Sequence, residues 1–157
     1  MSREAAWTAP QELRDLAVRY VLAVDTRDAD ALADVFTADG VIGGWGSDDV
    51  RYAGADGFRR MIDQVVVTFG RTMHNVFNQT FQRVDGAVSG LTYGVASHIL
   101  PGDGTDLVDF AMRYHDRYVE EGGRWKFRER RLEVVWIEQH KVLRPETETM
   151  ARILKGF

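Results

Sequence analysis

The spacing of apolar residues in the first half of the chain predicts three helices. Between Leu13 and Val24, apolar side chains recur three or four residues apart, which places them on one helix face. Asp28 is a suitable N-cap for a second, shorter helix, because its carboxylate can accept hydrogen bonds from the first free amide groups. A third segment, from about Ala55 to Phe69, repeats the helical spacing.

The segment between the second and third helices predicts less regular structure. Thr37–Gly40 is rich in turn-forming residues, and the pair Val41-Ile42 is typical of a short strand. The glycine-rich run Gly43–Asp49 then predicts a loop.

Beyond Gly70 the apolar period changes from that of a helix to that of a strand. Asp85-Gly86 and Gly122-Gly123 are hairpin signals, and residues 101–104 form a longer connection. The pattern therefore predicts a meander of four long strands at Thr72–Val84, Ala87–Leu100, Leu107–Glu120 and Arg124–Gln139. Strands of this length twist and coil, so we expect an α+β fold. In it, a cone-shaped, curved antiparallel sheet wraps around the N-terminal helices and encloses a pocket.

Length and charge narrow the class of protein. The 157 residues are about one domain's length, so we predict a single domain over 1–157, with a core of about 10–140 and a charged tail at 145–157. The composition, 45% apolar and 28% charged, is that of a soluble globular protein. A formal net charge of −4 argues against nucleic-acid binding. We interpret the basic run Arg124–Arg131, which alternates with strand period, as a solvated face.

Neither a membrane nor an oxidising compartment is expected. No apolar stretch approaches the roughly 18 residues that a spanning helix needs. Met1–Ala9 lacks the apolar region of a secretory signal, so a cytoplasmic protein is predicted. The chain has no cysteine, which excludes a disulfide framework, a thiolate nucleophile and a cysteine-ligated metal.

Asp25, His74 and His98 are the candidates for acid/base chemistry. Asp25 lies near the edge of the apolar stripe of the first helix. A hairpin at Asp85-Gly86 would make the two histidines cross-strand neighbours on one sheet face. An imidazole can exchange a proton at neutral pH, and a buried carboxylate can fix its tautomer. Such a set suits removal of a proton beside a carbonyl, followed by loss of hydroxide or by isomerisation.

The same residues also have structural interpretations. A histidine in a strand is more often a hydrogen-bonded structural residue than a catalyst. Asp25 could simply end the first helix, although a carboxylate there opposes the helix dipole. His115 and His140 have weaker support as functional residues. No local ligand spacing supports a metal site built from the three candidates, and no phosphate loop or dinucleotide fingerprint occurs, so no metal or cofactor is predicted.

Aromatic residues could line a pocket for a ring-shaped ligand. Tyr20 lies on the apolar face of the first helix, close to Asp25, and its phenol needs a partner if it is buried. We therefore include Tyr20 with the catalytic candidates. Most aromatic residues at such spacing belong to a core, but six others are candidates for substrate binding: Trp45, Tyr52, Phe77, Tyr93, Tyr114 and Trp136.

Two parts of the sequence resemble a known family. The run Tyr20–Asp28, followed by Ala31–Val41, resembles the opening of SnoaL-like proteins, which belong to the nuclear transport factor 2-like superfamily. Tyr114–Tyr118, Gly122–Phe127 and the pair Arg130-Arg131 are similar to that family's closing strands. The resemblance spans about residues 10–140 and implies the cone-shaped fold. It implies less about function, because this fold hosts many activities.

Within the superfamily, Asp25, His98 and the His74 of Thr72–Asn75 resemble scytalone dehydratase and its relatives. Tyr20, five residues before the aspartate, is similar to the tyrosine of bile-acid dehydratases. The resemblance implies cofactor-independent loss of water from a polyketide-like or steroid-like cyclic hydroxy-ketone. Asp25 would orient and charge-balance His98, and the histidines would carry the proton to the departing hydroxyl. Tyr20 would hydrogen-bond the substrate carbonyl or a bound water. A second tyrosine and a Ser/Asn pair of scytalone dehydratase have no clear match in this chain.

Two other functions remain open at this stage. An isomerase or cyclase could use the same site, and a non-catalytic ligand-binding or assembly protein could use the same fold. The expected partner is a small apolar cyclic ligand, with no nucleic acid and no membrane. Val134 and Trp136, placed on the outer sheet face, favour a homodimer or homotrimer.

Overall fold

The computed structural model describes residues 9–44, 50–144 and 147–156. In these ranges the chain forms four helices and six strands. In chain order they are α1 (Pro10–Asp25), α2 (Ala29–Asp34), β1 (Phe36–Gly43), β2 (Arg51–Ala53), α3 (Gly54–Thr68), β3 (Arg71–Val84), β4 (Ala87–Ile99), β5 (Asp106–Glu121), β6 (Arg124–Lys141) and α4 (Thr147–Leu154).

The three N-terminal helices form where the apolar spacing predicts them. Helix α1 has Pro10 in its first turn, where a missing amide hydrogen bond does no harm, and buries one apolar face. The Asp28 carboxylate accepts hydrogen bonds from the backbone amides of Asp30 and Ala31, which makes it the N-cap of α2. Helix α3 buries Phe58 and the apolar positions that follow it on the same face.

The six strands form one sheet in the order β2-β1-β6-β5-β4-β3. Strands β3 to β6 make the predicted antiparallel meander. Strand β1 adds a parallel pairing with β6, which the meander alone does not predict. The turn predicted at 37–40 is wrong, because this segment lies inside β1. The β1–β6 register shifts there, so the turn-forming residues are accommodated as an irregularity between two anchored ends.

Three further irregularities decide which side chains face inward, and one of them is an extra residue, Arg128, between the pairs Arg117–Glu129 and Tyr118–Phe127. In β3 the register against β4 shifts between Val76 and Gln79. In β6 Trp136 pairs with Ala111 but Val134 pairs with Met112, which leaves Val135 as an extra residue. Each bulge reverses the alternation beyond it.

Helices α1, α2 and α3 cover the concave side of this curved, open sheet, and the buried core lies between the two layers. The predicted α+β cone is therefore confirmed. Helix α4 follows the last strand, within the segment predicted as a tail. Among the described residues, no helix is long and apolar enough to cross a membrane.

Candidate active site

A cavity of about 410 Å³ lies between the helices and the concave face of the sheet. Most of its wall is apolar, with side chains such as Met61, Val65, Phe110 and Leu132 from α3, β5 and β6. His74 and His98 provide the imidazoles of the wall. A cavity of this size and character suits a small, mostly apolar ligand held by a few polar groups.

Asp25 and His74 are in hydrogen-bond contact at the cavity wall. His74 Nδ1 lies 2.7 Å from Asp25 Oδ1, and the His74 backbone amide donates to Asp25 Oδ2 at 2.9 Å. The two residues come from the end of α1 and the start of β3. The His74 side chain is 6% exposed, so the pair is largely shielded from bulk water.

Hydrogen bonds keep Asp25 ionised in this setting. Burial alone would raise the pKa of Asp25, but the hydrogen bonds from the His74 ring, the His74 amide and Thr72 together lower it below its ordinary value. An ionised carboxylate only accepts, so His74 must carry its proton on Nδ1. The lone pair on Nε2 is then the free basic group of an imidazole that lines the cavity.

His98 lies diagonally across the sheet from His74 rather than directly opposite. The β3–β4 register pairs His98 with Thr72 and His74 with Ala96, and the two imidazole centroids are 5.3 Å apart. His98 is completely buried, and the ring of Phe69 lies 4.1 Å from it. The two histidines therefore share one face of the sheet, with His98 deeper in the wall.

His98 is a neutral imidazole at physiological pH. Burial, and to a smaller extent positive charge on a protonated His74, lower its pKa to about 4, against the opposing effect of a hydrogen bond to the Ala96 carbonyl. Nδ1 lies 3.1 Å from that carbonyl and must therefore carry the proton. Nε2 is buried without a partner among the described residues. The expected charge balance between Asp25 and His98 is wrong, because Asp25 hydrogen-bonds His74 instead.

Tyr20 lies on the cavity wall above a buried cation. Its ring stacks on the Arg130 guanidinium at 4.4 Å, with Tyr114 at the same distance and Phe127 at 4.2 Å. Burial raises the pKa of Tyr20 to about 12, against the opposing effect of Arg130. The Tyr20 phenol therefore keeps its proton at neutral pH and is a hydrogen-bond donor.

The buried ion pair of Arg130 and Asp116 was not predicted. Both side chains are fully buried, and Arg130 Nε and Nη2 each donate to Asp116 at 2.8 Å. The assignment of 124–131 to a solvated face is thus wrong at Arg130, which points inward between Phe127 and Leu132. The sequence signal that could have revealed this pair is one charged residue at an inward position in each of two neighbouring strands, Asp116 in β5 and Arg130 in β6.

The aromatic candidates divide into two groups. Tyr20, Tyr52 and Tyr114 line the cavity, and Trp45 lies outside the described residues. Phe77, Tyr93 and Trp136 are not part of the cavity wall, and their exposed fractions are 56%, 40% and 62%. They point to the convex face of the sheet.

Strand geometry explains these corrections. Tyr93 alternates with the inward residues of β4, so its side chain must point outward. Phe77 lies three residues after the inward-facing His74, so alternation also directs it outward. Trp136 lies on the outer face, as predicted, and is wrong only as a cavity residue. The bulge at Val135 in β6 turns Val134 inward, so the predicted place of Val134 on the outer face is wrong.

The other two histidines lie away from the cavity. His115 Nε2 lies 2.7 Å from Glu133 on the convex face, and His140 is exposed. Among the described residues, no group of three or more histidine, aspartate or glutamate side chains is arranged to hold a metal ion.

Residues 6–131 match the SnoaL-like domain family. This chain belongs to that family. The match covers most of the chain, and the fold agrees with the nuclear transport factor 2-like superfamily. A comparison with curated protein sequences gives no significant match.

Solved structures with the same fold include three from Novosphingobium. A candidate aromatic-ring hydroxylase from N. aromaticivorans is 25% identical over 85% of this chain and 92% of its own, with a TM-score of 0.72. The hexachlorocyclohexane dehydrochlorinase LinA-type3 from N. barchaimii is 20% identical over 87% and 95%, with a TM-score of 0.76. A candidate scytalone dehydratase from N. aromaticivorans is 19% identical over 85% and 88%, with a TM-score of 0.73.

Proposed function

We propose that this SnoaL-like protein is a cofactor-independent lyase that removes water from a small cyclic hydroxy-ketone. The observation that carries the proposal is the contact of 2.7 Å between His74 and Asp25 at the wall of an apolar cavity. A carboxylate that accepts a hydrogen bond from Nδ1–H keeps the proton on that nitrogen and leaves the other ring nitrogen, Nε2, free as a general base. The surrounding wall is apolar and suits the rings of such a substrate.

The reaction begins with proton transfer from the substrate to His74. Nε2 takes a proton from the carbon next to the carbonyl, and Asp25 stabilises the resulting imidazolium. The electron pair of that C–H bond forms a carbon–carbon double bond as the C–O bond to the hydroxyl breaks. The imidazolium returns its proton to the departing oxygen, which leaves as water and restores neutral His74.

Other side chains of the wall have supporting roles in this scheme. Tyr20 keeps its phenol proton, so it can donate a hydrogen bond to the carbonyl oxygen as negative charge develops there. His98 is neutral and cannot be the acid in this tautomer. Tyr52 donates to Gln64, so its phenol proton is already engaged.

The geometry favours this reaction class over the two alternatives. An isomerase that used Asp25 alone would be favoured if the histidines turned away from the cavity, but His74 contacts Asp25 and lines the wall. A purely binding or assembly role would be favoured if no cavity lay beside the histidines. The names of two similar structures, a dehydrochlorinase and a candidate dehydratase, also denote elimination reactions.

The proposal is tested with a panel of cyclic β-hydroxy-ketones, including bicyclic hydroxytetralones. Elimination produces a conjugated or aromatic product, so its formation can be followed by ultraviolet absorbance. We expect Asp25→Asn and His74→Gln each to lower kcat by about 100-fold or more, because each removes the general base or its orientation.

His140→Gln is the matched control, because it removes an exposed histidine far from the cavity and should retain wild-type kcat. Absence of elimination across the panel, or equal rates for Asp25→Asn and the wild type, would contradict the proposal.

A further inference from the structure

A chain of hydrogen bonds from Arg27 through Thr72 reaches the same Asp25 oxygen that His74 Nδ1 contacts. Arg27 Nη1 lies 2.7 Å from Thr72 Oγ1, and Thr72 Oγ1 lies 2.8 Å from Asp25 Oδ1. The same guanidinium nitrogen also donates to the Val24 carbonyl at 2.9 Å. These contacts link the second residue after α1 to the first paired residues of β3.

The chemistry of the groups fixes the direction of each hydrogen bond. A guanidinium only donates, so Thr72 Oγ1 must accept from Arg27. The single hydroxyl proton of Thr72 is then free to go to Asp25, which only accepts. Asp25 thus receives three hydrogen bonds: one from Thr72 and two from His74. Its orientation toward His74 is set by all three.

The backbone at Arg27 is left-handed because this residue caps the end of α1. Its φ is +61°, and the backbone amides of Arg27 and Asp28 donate to the carbonyls of Val24 and Ala23 at 3.2 and 2.9 Å, the hydrogen-bond pattern of a helix C-terminal cap. The Arg27 side chain extends from this cap to Thr72.

We propose that Thr72 and Arg27 are positioning residues, which keep Asp25 ionised and oriented so that the His74 lone pair faces the cavity. Neither residue lines the cavity, so neither is expected to contact the substrate. The proposal deepens the lyase proposal and rests on His74 as the base. Its first test needs no substrate, so the two can fail separately.

The first test is the pKa of the Asp25 carboxyl, measured by carbon NMR across a pH titration. Thr72→Val has nearly the same shape but no hydroxyl, so we expect the Asp25 pKa to rise. Thr72→Ser keeps the hydroxyl and should restore the wild-type pKa. Unchanged Asp25 titration in Thr72→Val would overturn the proposal.

The chain contains a matched control elsewhere in the sheet. Gln79 donates to Thr92 at 3.3 Å, and Thr92 lies 3.2 Å from Asp116, so a donor, a threonine and an aspartate form the same sequence of contacts. Thr92→Val removes a buried hydroxyl without touching Asp25 or His74. We expect it to leave the Asp25 pKa unchanged, and an equal shift would show a general effect of destabilisation, against the proposal.

Arg27 is tested by combining substitutions. Arg27→Met keeps a long side chain at the same backbone conformation but cannot donate to Thr72. If Arg27 acts through Thr72, the Asp25 pKa shifts of Arg27→Met and Thr72→Val will not add in the double variant. Fully additive shifts would show that Arg27 does not act through Thr72, against this part of the proposal.

Activity provides the last readout. On any hydroxy-ketone that the wild type converts, Thr72→Val should lower kcat about tenfold with little change in KM, because the substrate contacts are intact. Thr72→Ser should recover most of that loss. A loss confined to KM would contradict a positioning role, whereas a wild type with no lyase activity would count against the lyase proposal alone.

Discussion

Burial favours the neutral form of both Asp25 and His98, but only Asp25 keeps its charge. Asp25 is supplied with three donors, so it stays charged inside the wall. His98 has one hydrogen bond, to a carbonyl, and packs between the rings of Phe69 and Phe110, so it stays neutral. Burial therefore makes His98 neutral, whereas hydrogen-bond donors keep Asp25 charged in spite of its burial.

The neutral state of His98 makes folding stability depend on pH. The pKa of His98 is about 4 in the folded protein and about 6.5 as its ordinary value. Between these values the unfolded chain binds a proton that the folded chain does not, so stability falls as pH falls from 6.5 to 4. The free energy of unfolding should decrease by about 3 kcal/mol over this window. Chemical denaturation at a series of pH values measures it.

His98→Gln removes the titrating group and should flatten this dependence, whereas His140→Gln should not. Asp25 acts in a separate pH range. Because its pKa is lowered in the folded protein, its charge stabilises the fold above pH 3.8, the ordinary value of the group, and this stabilisation is lost only as the pH falls below that value. An equally steep dependence in His98→Gln would show that another group is responsible.

At the scale of elements, the end of β1 comes very close to β6 beside the cavity. Gly44 has a φ of +86°, and a Cβ built there would lie 2.1 Å from the Leu132 carbonyl oxygen. Gly43 precedes it, and a Cβ there would lie at ordinary distances of 3.6 Å from its neighbours. The geometry therefore requires glycine at position 44 but not at position 43.

Gly44→Ala should lower the free energy of unfolding by about 2 kcal/mol or more, because it combines a left-handed backbone with a steric clash. Gly43→Ala should change it by only about 0.5 kcal/mol in either direction. Urea denaturation of the two variants makes the comparison. Equal stabilities would mean that β1 and β6 separate here without penalty.

The elements that the sequence predicts well are those with a sustained period. The stripe of α1 and the long strands of the meander repeat their patterns over many residues, so their existence and order follow from spacing. Strand β2 spans only Arg51–Ala53, too short to show a period, and β1 contains turn-forming residues. Their pairing depends on contacts with distant parts of the chain, which local pattern does not encode.

The candidate site was predictable in part for the same reason. Alternation places His74 and His98 on one sheet face, and the distance of 5.3 Å between their ring centroids agrees with that placement. Val134 was misplaced because the bulge at Val135 reverses the faces of β6, and no residue type marks it. Phe77 and Tyr93 were included for their aromatic rings, although alternation from His74 and His98 directs both outward. The link from Arg27 to Thr72 joins parts of the chain 45 residues apart, so only the folded structure reveals it.

At the scale of the whole molecule, the convex face of the sheet carries an apolar surface patch. Its largest exposed side chains come from three strands: Met73 and Phe77 in β3, Tyr93 in β4 and Trp136 in β6. The sheet register places Trp136, Ala111, Val95 and Asn75 in one row across the patch. Clusters of this kind on a soluble protein commonly mark contacts with another protein.

We therefore retain a homodimer or homotrimer as a prediction, with the patch as the contact between copies. Trp136→Glu places a charge at the centre of the patch and should shift the sedimentation of the protein toward the monomer, because a desolvated carboxylate without a partner disfavours association.

Val67→Glu is the matched control, since Val67 is an 81% exposed valine on α3, outside the patch. Analytical ultracentrifugation over a range of concentrations compares both variants with the wild type. A wild type that sediments as a monomer at every concentration, or a Trp136→Glu variant that assembles like the wild type, would exclude this face as the contact.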